Sequence, residues 1–288
     1  MHISRLRRAT PVLPASDLRA RWSLAGLLIL VLAGCSAAGP PQESPATPSV
    51  TLSFIQNRVD EGTPRAQLRV INHEKRALTP TGLGLDWSGY GGPFRQDYET
   101  TIAPGQTLDL RIILPEPSCT DGSEPVRGIV EFRSTTVRAQ LDAFGQDVLR
   151  QVWQRACDEQ YVEDRVGIRI DDKWRTAGNG RASYMRGRID LTRRDGAEEI
   201  LLPRVHGSVL FDLRLVGAAV LEPEAKQGSY VIELRPSRCD DHVLAESSHS
   251  FVWSAEVQAD EARPRRVVLT PSLATQKQGY ALVDRACQ

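Results

Sequence analysis

Four cysteines lie at matching places in two copies of one sequence pattern. The run RIILPEPSCTDG around Cys119 matches IELRPSRCDDH around Cys239, and WQRACDEQ around Cys157 matches VDRACQ around Cys287. Each copy has a strand-like run, a proline shortly before a cysteine and a later Arg-Ala-Cys, with its two cysteines 38 or 48 positions apart. The chain is therefore a tandem repeat, and its fold must accommodate one cysteine pair per copy.

The N-terminus has the layout of an export signal. Two arginines, Arg19 and Arg21, precede an apolar run of about ten residues that ends in small residues, as in a cleaved signal peptide over residues 1–34. The last four positions, Leu32-Ala33-Gly34-Cys35, resemble the lipobox of bacterial lipoproteins. This resemblance implies cleavage before Cys35, with a diacylglyceryl thioether and an N-acyl chain on that residue. The alternative is an ordinary signal peptide followed by an unrelated cysteine.

Residues 35–49 form a predicted tether. The run SAAGPPQESPATPS after Cys35 is rich in Pro, Ser and Ala and contains one charged residue. Such a composition buries too little apolar surface to fold, so we expect a semi-extended linker between the lipid and the folded part.

Export places the other four cysteines in an oxidising compartment, where an even number favours disulfides. Three pairings are possible, and the repeat favours Cys119 with Cys157 and Cys239 with Cys287. Each would stabilise the fold by at most about 4 kcal/mol. A four-cysteine zinc site would need close pairs such as Cys-x-x-Cys, which the sequence lacks.

Short runs with alternating apolar residues predict antiparallel strands with one buried face. The clearest positions are Leu108, Leu110, Ile112 and Leu114 in the first copy, and Val209, Phe211, Leu213, Leu215, Tyr230, Ile232 and Leu234 in the second. RGIVEFRS and HSFVWSAEV predict a further strand after the first cysteine of each copy. In IRIDDKWRTAGNGRAS, the Asn-Gly pair fits a hairpin better than a calcium loop.

We therefore predict a mainly β protein with two tandem immunoglobulin-like β-sandwich domains, residues 50–160 and 161–288, each with one disulfide. The first domain is expected to be closed by a short helix. Its apolar positions at near-helical spacing are Leu141, Phe144, Val148, Val152, Trp153 and Ala156. The second copy has only YALVDRAC at that place, so the two domains are not expected to be identical.

The lipobox, the Arg-Cys-Asp-x-His run of residues 238–242 and the paired cysteines together resemble a family of uncharacterised secreted lipoproteins from GC-rich Gram-positive bacteria. The resemblance covers most of residues 160–288 and, more weakly, the first copy. In that family a proline often follows the Cys-Asp pair, whereas this chain has Asp241. The resemblance implies architecture and cellular location, and no activity.

Charge argues against nucleic acid as a partner. The 36 basic and 36 acidic residues balance, and without residues 1–34 the numbers are 31 and 35, so the mature chain is mildly acidic. Nucleic-acid binding favours a basic domain.

Two stretches are candidate functional sites. DWSGYGGPF places Trp87, Tyr90 and Phe94 among three glycines, as in an aromatic loop that binds sugar or peptide; alternatively these rings cap the sandwich. Asp241 and His242, with His249 nearby, are candidates for a metal site or an active site. The second copy alone has this histidine, which favours a disulfide-forming role for the stretch.

The sequence lacks a Gly-x-Ser-x-Gly elbow, a His-Glu-x-x-His pair, a Walker loop and a dinucleotide fingerprint. We therefore expect no catalytic residues, no cofactor and no metal. The expected function is that of a non-catalytic binding or assembly module, anchored through Cys35 on the extracytoplasmic face of the cell membrane. Its expected partner there is an envelope protein or glycan. The alternative is an envelope metal-handling protein or enzyme that uses Asp241 and His242.

Overall fold

Seven strands of the first half form two antiparallel sheets in the computed structural model, which describes residues 47–120, 122–239 and 249–287. The strands are β1 (Val50–Ile55), β2 (Arg65–Asn72), β3 (Pro80–Asp86), β4 (Phe94–Asp97), β5 (Thr107–Ile113), β6 (Arg127–Phe132) and β7 (Thr135–Gln140). One sheet has the order β1-β2-β5 and the other β4-β3-β6-β7. Alternate side chains of both sheets, among them Leu68, Leu110 and Val130, meet in one buried core.

The second half repeats this arrangement with nine strands. They are β8 (Val166–Ile170), β9 (Arg175–Ala177), β10 (Tyr184–Arg193), β11 (Ile200–His206), β12 (Phe211–Leu215), β13 (Val220–Leu221), β14 (Gln227–Pro236), β15 (Trp253–Ala259) and β16 (Arg265–Leu269). One sheet has the order β12-β14-β10-β8, with β9 paired to β10, and the other β13-β11-β15-β16. The hairpin of β9 and β10 encloses Asn179-Gly180, as predicted.

The two halves share a pattern of strand pairing. In the first half β2 lies between β1 and β5, and β6 lies between β3 and β7. In the second half β10 lies between β8 and β14, and β15 lies between β11 and β16, in the same chain order. Two packed antiparallel sheets with these crossovers form an immunoglobulin-like sandwich, so the predicted fold class is confirmed.

Each half is followed by a helix, α1 (Ala143–Arg165) and α2 (Leu273–Cys287). Helix α1 is longer than the short helix that the sequence predicts, and the segment containing YALVDRAC belongs to a second helix. Phe144, predicted on the buried face of α1, is 63% exposed, whereas Leu149 is fully buried. Gly145, in the same first helical turn, packs closely on β1, where an added Cβ would lie 2.4 Å from the backbone nitrogen of Phe54, so Phe144 lies on the solvent side of that turn.

The two disulfides pair as predicted. Cys119 bonds to Cys157 across 5.6 Å between Cα atoms, and Cys239 bonds to Cys287 across 5.3 Å. Each bond links the connection between the fifth and sixth repeated strands to the following helix. The bond therefore ties each sandwich to the helix that follows it, and this is why a proline shortly before a cysteine and a later Arg-Ala-Cys recur together.

Helix α1 belongs to both halves. Leu149 and Val152 lie in the first core, and Val162 lies in the second. The predicted domain boundary between residues 160 and 161 falls inside this helix. Asp158, buried on α1, accepts hydrogen bonds from Arg263 and forms an ion pair with Arg265 at 3.4 Å. The helix therefore fixes one sandwich against the other.

Within the described ranges, no helix is both long enough and apolar enough to cross a membrane. The predicted signal peptide, Cys35 and most of the tether lie outside the described residues.

Candidate ligand-binding cleft

A cleft of about 580 Å³ lies where the two sandwiches meet α1. The connection after β1 and the end of β5 form its wall in the first half, and β15 and β16 form its wall in the second. Helix α1 lies along its length. Most of its walls are apolar, from Pro64, Leu114, Pro115, Val152, Val252 and Val268. Concave, largely apolar sites with a few polar groups are where proteins usually bind small ligands or chain segments.

The aromatic segment after β3 reaches this cleft from the first core. Trp87 is 2% exposed, its Nε1 donates to the carbonyl oxygen of Glu124 at 3.1 Å, and its ring packs edge-on against Trp153 of α1 at 5.4 Å. The backbone at Gly89 passes so close that a Cβ would lie 2.4 Å from the Trp87 ring. Glycine is therefore required there, and Trp87 acts as the internal anchor of the segment.

Tyr90 is the member of this segment that lines the cleft. Its ring lies between Trp87 at 5.8 Å and Phe94 at 6.1 Å, and the residue is 8% exposed. Its hydroxyl is buried and has no hydrogen-bond partner in the described part of the chain. Burial raises the pKa of this hydroxyl, so it stays protonated and able to donate or accept a hydrogen bond.

The predicted ligand loop is thus divided. Trp87 and Tyr90 are buried in the first core, and Phe94 is half-buried against it. The structure therefore packs all three rings in or against the first core. Of the three, only Tyr90 contributes to the cleft.

The two arginines that line the cleft are held by neighbouring side chains. Arg155 donates to Gln56 at 3.1 Å, and Arg266 donates to Ser254 at 2.9 Å. Glu159 lies half-buried on α1; burial raises the pKa of its carboxyl, while a backbone hydrogen bond from Val268 opposes that shift. The cleft therefore combines apolar walls with the carboxyl groups of Glu61, Glu116 and Glu159 and with Tyr90, whose hydroxyl is buried.

Sequence patterns did not identify Glu159 or Val268 as cleft residues. Glu159 lies beyond the predicted short helix, and the second wall comes from β16, more than a hundred residues later. Only the packing of α1 between the halves brings these residues together.

The second candidate site, around Asp241 and His242, lies largely outside the residues that the structure describes. Asp241 and His242 lie outside the described residues. Across residues 47–120, 122–239 and 249–287, no three His, Cys, Asp or Glu side chains group closely enough to hold a metal ion.

No family model matches the chain, and no curated protein matches it. Among solved structures, the chain is similar to a red sea bream transglutaminase at 11% identity and TM-score 0.24, covering 77% of this chain and 31% of that one. It is similar to an exo-chitosanase of Amycolatopsis orientalis at 12% identity and TM-score 0.22, covering 76% of this chain and 26% of that one. It is also similar to a protein of unknown function from Porphyromonas gingivalis W83 at 14% identity and TM-score 0.22, covering 78% of this chain and 99% of that one. The chain thus spans about a third or less of the two enzymes, and these likenesses assign it no role.

Proposed function

We propose that this protein is a lipoprotein of the cell envelope, held through Cys35 on the extracytoplasmic face of the membrane, where it acts as a non-catalytic binding or assembly module. The lipobox-like run before Cys35 supports the anchor. Two disulfides support an extracytoplasmic location, because disulfides form and persist in oxidising compartments. The resemblance to secreted lipoproteins of GC-rich Gram-positive bacteria agrees with both.

The observation that carries the binding role is Tyr90, which lines the cleft and has a buried hydroxyl without a hydrogen-bond partner among the described residues. A buried hydroxyl without a partner costs about 1–3 kcal/mol of folding free energy. Such a cost is offset when a ligand supplies the missing hydrogen bond. Apolar walls around it favour a ligand that carries apolar surface and one hydrogen-bonding group.

The lipid anchor is tested by acylation. Cells that express the wild type are expected to incorporate radiolabelled palmitate into the protein, and cells that express Cys35→Ala are not. Cys119→Ala, which removes a disulfide cysteine, is expected to keep the label. Label that persists in Cys35→Ala would contradict the anchor.

The binding role is tested by Tyr90→Phe. Because the change removes a buried hydroxyl without a partner, the purified protein is expected to gain about 1 kcal/mol of unfolding free energy, measured by urea denaturation. Tyr280→Phe, at a ring that is 49% exposed, is the control and is expected to change stability by less than about 0.5 kcal/mol.

The same variant is then examined in intact cells. A photoreactive residue that replaces Val252 at the cleft is expected to cross-link one defined neighbour, and Tyr90→Phe is expected to lower that yield although the protein is more stable. A photoreactive residue at Val209, which is 63% exposed and does not line the cleft, is the control. The binding role fails if both positions capture the same neighbour, or if Tyr90→Phe leaves the yield unchanged.

A further inference from the structure

The outer face of sheet β12-β14-β10-β8 carries a cluster of arginines around one buried carboxylate. Glu233 of β14 lies opposite Arg186 of β10 and Arg214 of β12 in the strand register. Arg186 donates to Glu233 at 3.1 Å and Arg235 at 2.7 Å, and Arg214 donates to the same carboxylate. The carboxylate is 2% exposed because the three arginine side chains cover it.

This cluster has more positive charge than its internal pairing requires. One carboxylate neutralises one of three guanidinium groups, and the side chains of Arg186, Arg214 and Arg235 remain 54%, 52% and 39% exposed. The other charged side chains that the described strands place on this face are Arg188, which donates to Ser229, the ion pair of Arg169 with Asp190, Asp212 beside Arg214, and Arg175 of β9 opposite Arg186. These six arginines and three acids leave an excess of three positive charges.

An aromatic ring holds two of these guanidiniums in place. Tyr184 lies next to Arg235 across the strands, and the guanidinium carbons of Arg186 and Arg235 lie 5.3 Å and 5.1 Å from its ring centre. Stacking and the shared carboxylate both restrict the side chains before any partner arrives. Less conformational entropy is then lost when an anion binds.

The repeat provides an internal comparison. On the equivalent sheet of the first half, Arg69 of β2 pairs with Asp109 of β5 through two hydrogen bonds of 2.7 Å and 2.9 Å. That pairing is one to one. Arg65 and Arg111 also lie on this face, but no carboxylate among its described residues is shared by three guanidinium groups as Glu233 is. The shared-carboxylate cluster therefore belongs to the second half and is not required by the fold.

We propose that this arginine face, defined by Arg186, Arg214 and Arg235 around Glu233, binds an extended polyanion that carries phosphate groups on successive units. One arginine guanidinium can donate two parallel hydrogen bonds to two oxygens of the same phosphate group. The face is an open sheet surface, with neighbouring strands about 4.8 Å apart and same-face residues about 6.8 Å apart along a strand. Regularly spaced donors on an open surface suit a polymer better than one enclosed ion. The face is separate from the cleft and does not depend on the anchor.

Isothermal titration calorimetry of the purified protein with long-chain inorganic polyphosphate tests this inference. The wild type is expected to bind, more weakly as salt concentration rises. Arg186→Gln/Arg214→Gln is expected to lose about tenfold or more in affinity, since two of the three charged donors are gone. Arg69→Gln, at the paired arginine of the first half, is expected to bind like the wild type.

A second variant guards against a folding defect in the double variant. Val231→Glu adds a carboxylate to the same face, opposite Arg188, and leaves the three arginines and Glu233 in place. It is expected to weaken polyphosphate binding about tenfold by charge repulsion while circular dichroism stays native. The proposal is overturned if polyphosphate does not bind the wild type, or if Arg69→Gln weakens binding as much as either variant. It is also overturned if phosphatidylglycerol vesicles, but not polyphosphate, bind through these arginines.

Discussion

Ionisation of Glu233 stabilises the second sandwich. Burial by itself would raise the pKa of its carboxyl, but hydrogen bonds from Arg214, Arg235 and Arg186 outweigh burial and lower the pKa to about 2. In the unfolded chain the same carboxyl has its ordinary pKa of 4.5. The folded state is therefore favoured at pH values above 4.5, and this contribution is lost as the pH falls toward 2. Such a shift corresponds to no more than about 3 kcal/mol, because solvent screens the half-exposed guanidiniums.

Glu233→Gln is accordingly expected to remove part of the acid sensitivity of the protein. Near pH 6 the variant should be less stable than the wild type by about 1–3 kcal/mol, and near pH 2 the two should converge. Urea denaturation at a series of pH values measures this. Asp97→Asn, at a side chain that is 92% exposed, is the control and should follow the wild-type curve. Parallel curves for wild type and Glu233→Gln would show that the carboxylate does not contribute in this way.

At the scale of elements, sequence patterns predict what each segment does by itself. Alternation in SYVIELRP places Ile232 and Leu234 in the core, where both are fully buried. The same rule fails at Val209, which is 63% exposed, because β12 begins only at Phe211 and the preceding residues form a bend. Alternation says which face a strand residue occupies once the strand exists, and it does not say where the strand begins.

The helices illustrate a second limit. The N-terminus of α1 is set locally, since the Asp142 side chain accepts the backbone N–H of Gly145 at 2.7 Å. Its length is set by tertiary packing, because beyond Cys157 the helix continues along the second sandwich to bury Val162. The predicted short helix therefore stops too early. The disulfide pairing was predictable because the repeat compares two complete copies, whereas the cleft was not, because its walls come from opposite ends of the chain.

For the molecule as a whole, α1 is the structural link between two separate hydrophobic cores. Asp158 provides the charge in that link, facing Arg263 and Arg265 of the second half. The Tyr161 ring adds to it, with the guanidinium carbons of Arg165 and Arg265 at 3.6 Å and 3.4 Å from its centre. The shape of the cleft depends on this link, because its two walls are fixed to each other chiefly along α1. A change at Asp158 should therefore affect the second half more than the first.

Asp158→Asn tests this dependence. The variant keeps an acceptor but loses the charge that faces two arginines, so we expect a loss of about 2 kcal/mol in local stability. Hydrogen exchange followed by mass spectrometry should show faster exchange in β16 and in the C-terminal turns of α1, with β2 and β6 unchanged. Asp164→Asn, at an exposed residue on the same helix, should match the wild type. An equal increase in the hydrogen-exchange rate in both halves would contradict this prediction. It would mean that the two sandwiches unfold as one unit and that Asp158 does not act mainly on the second half.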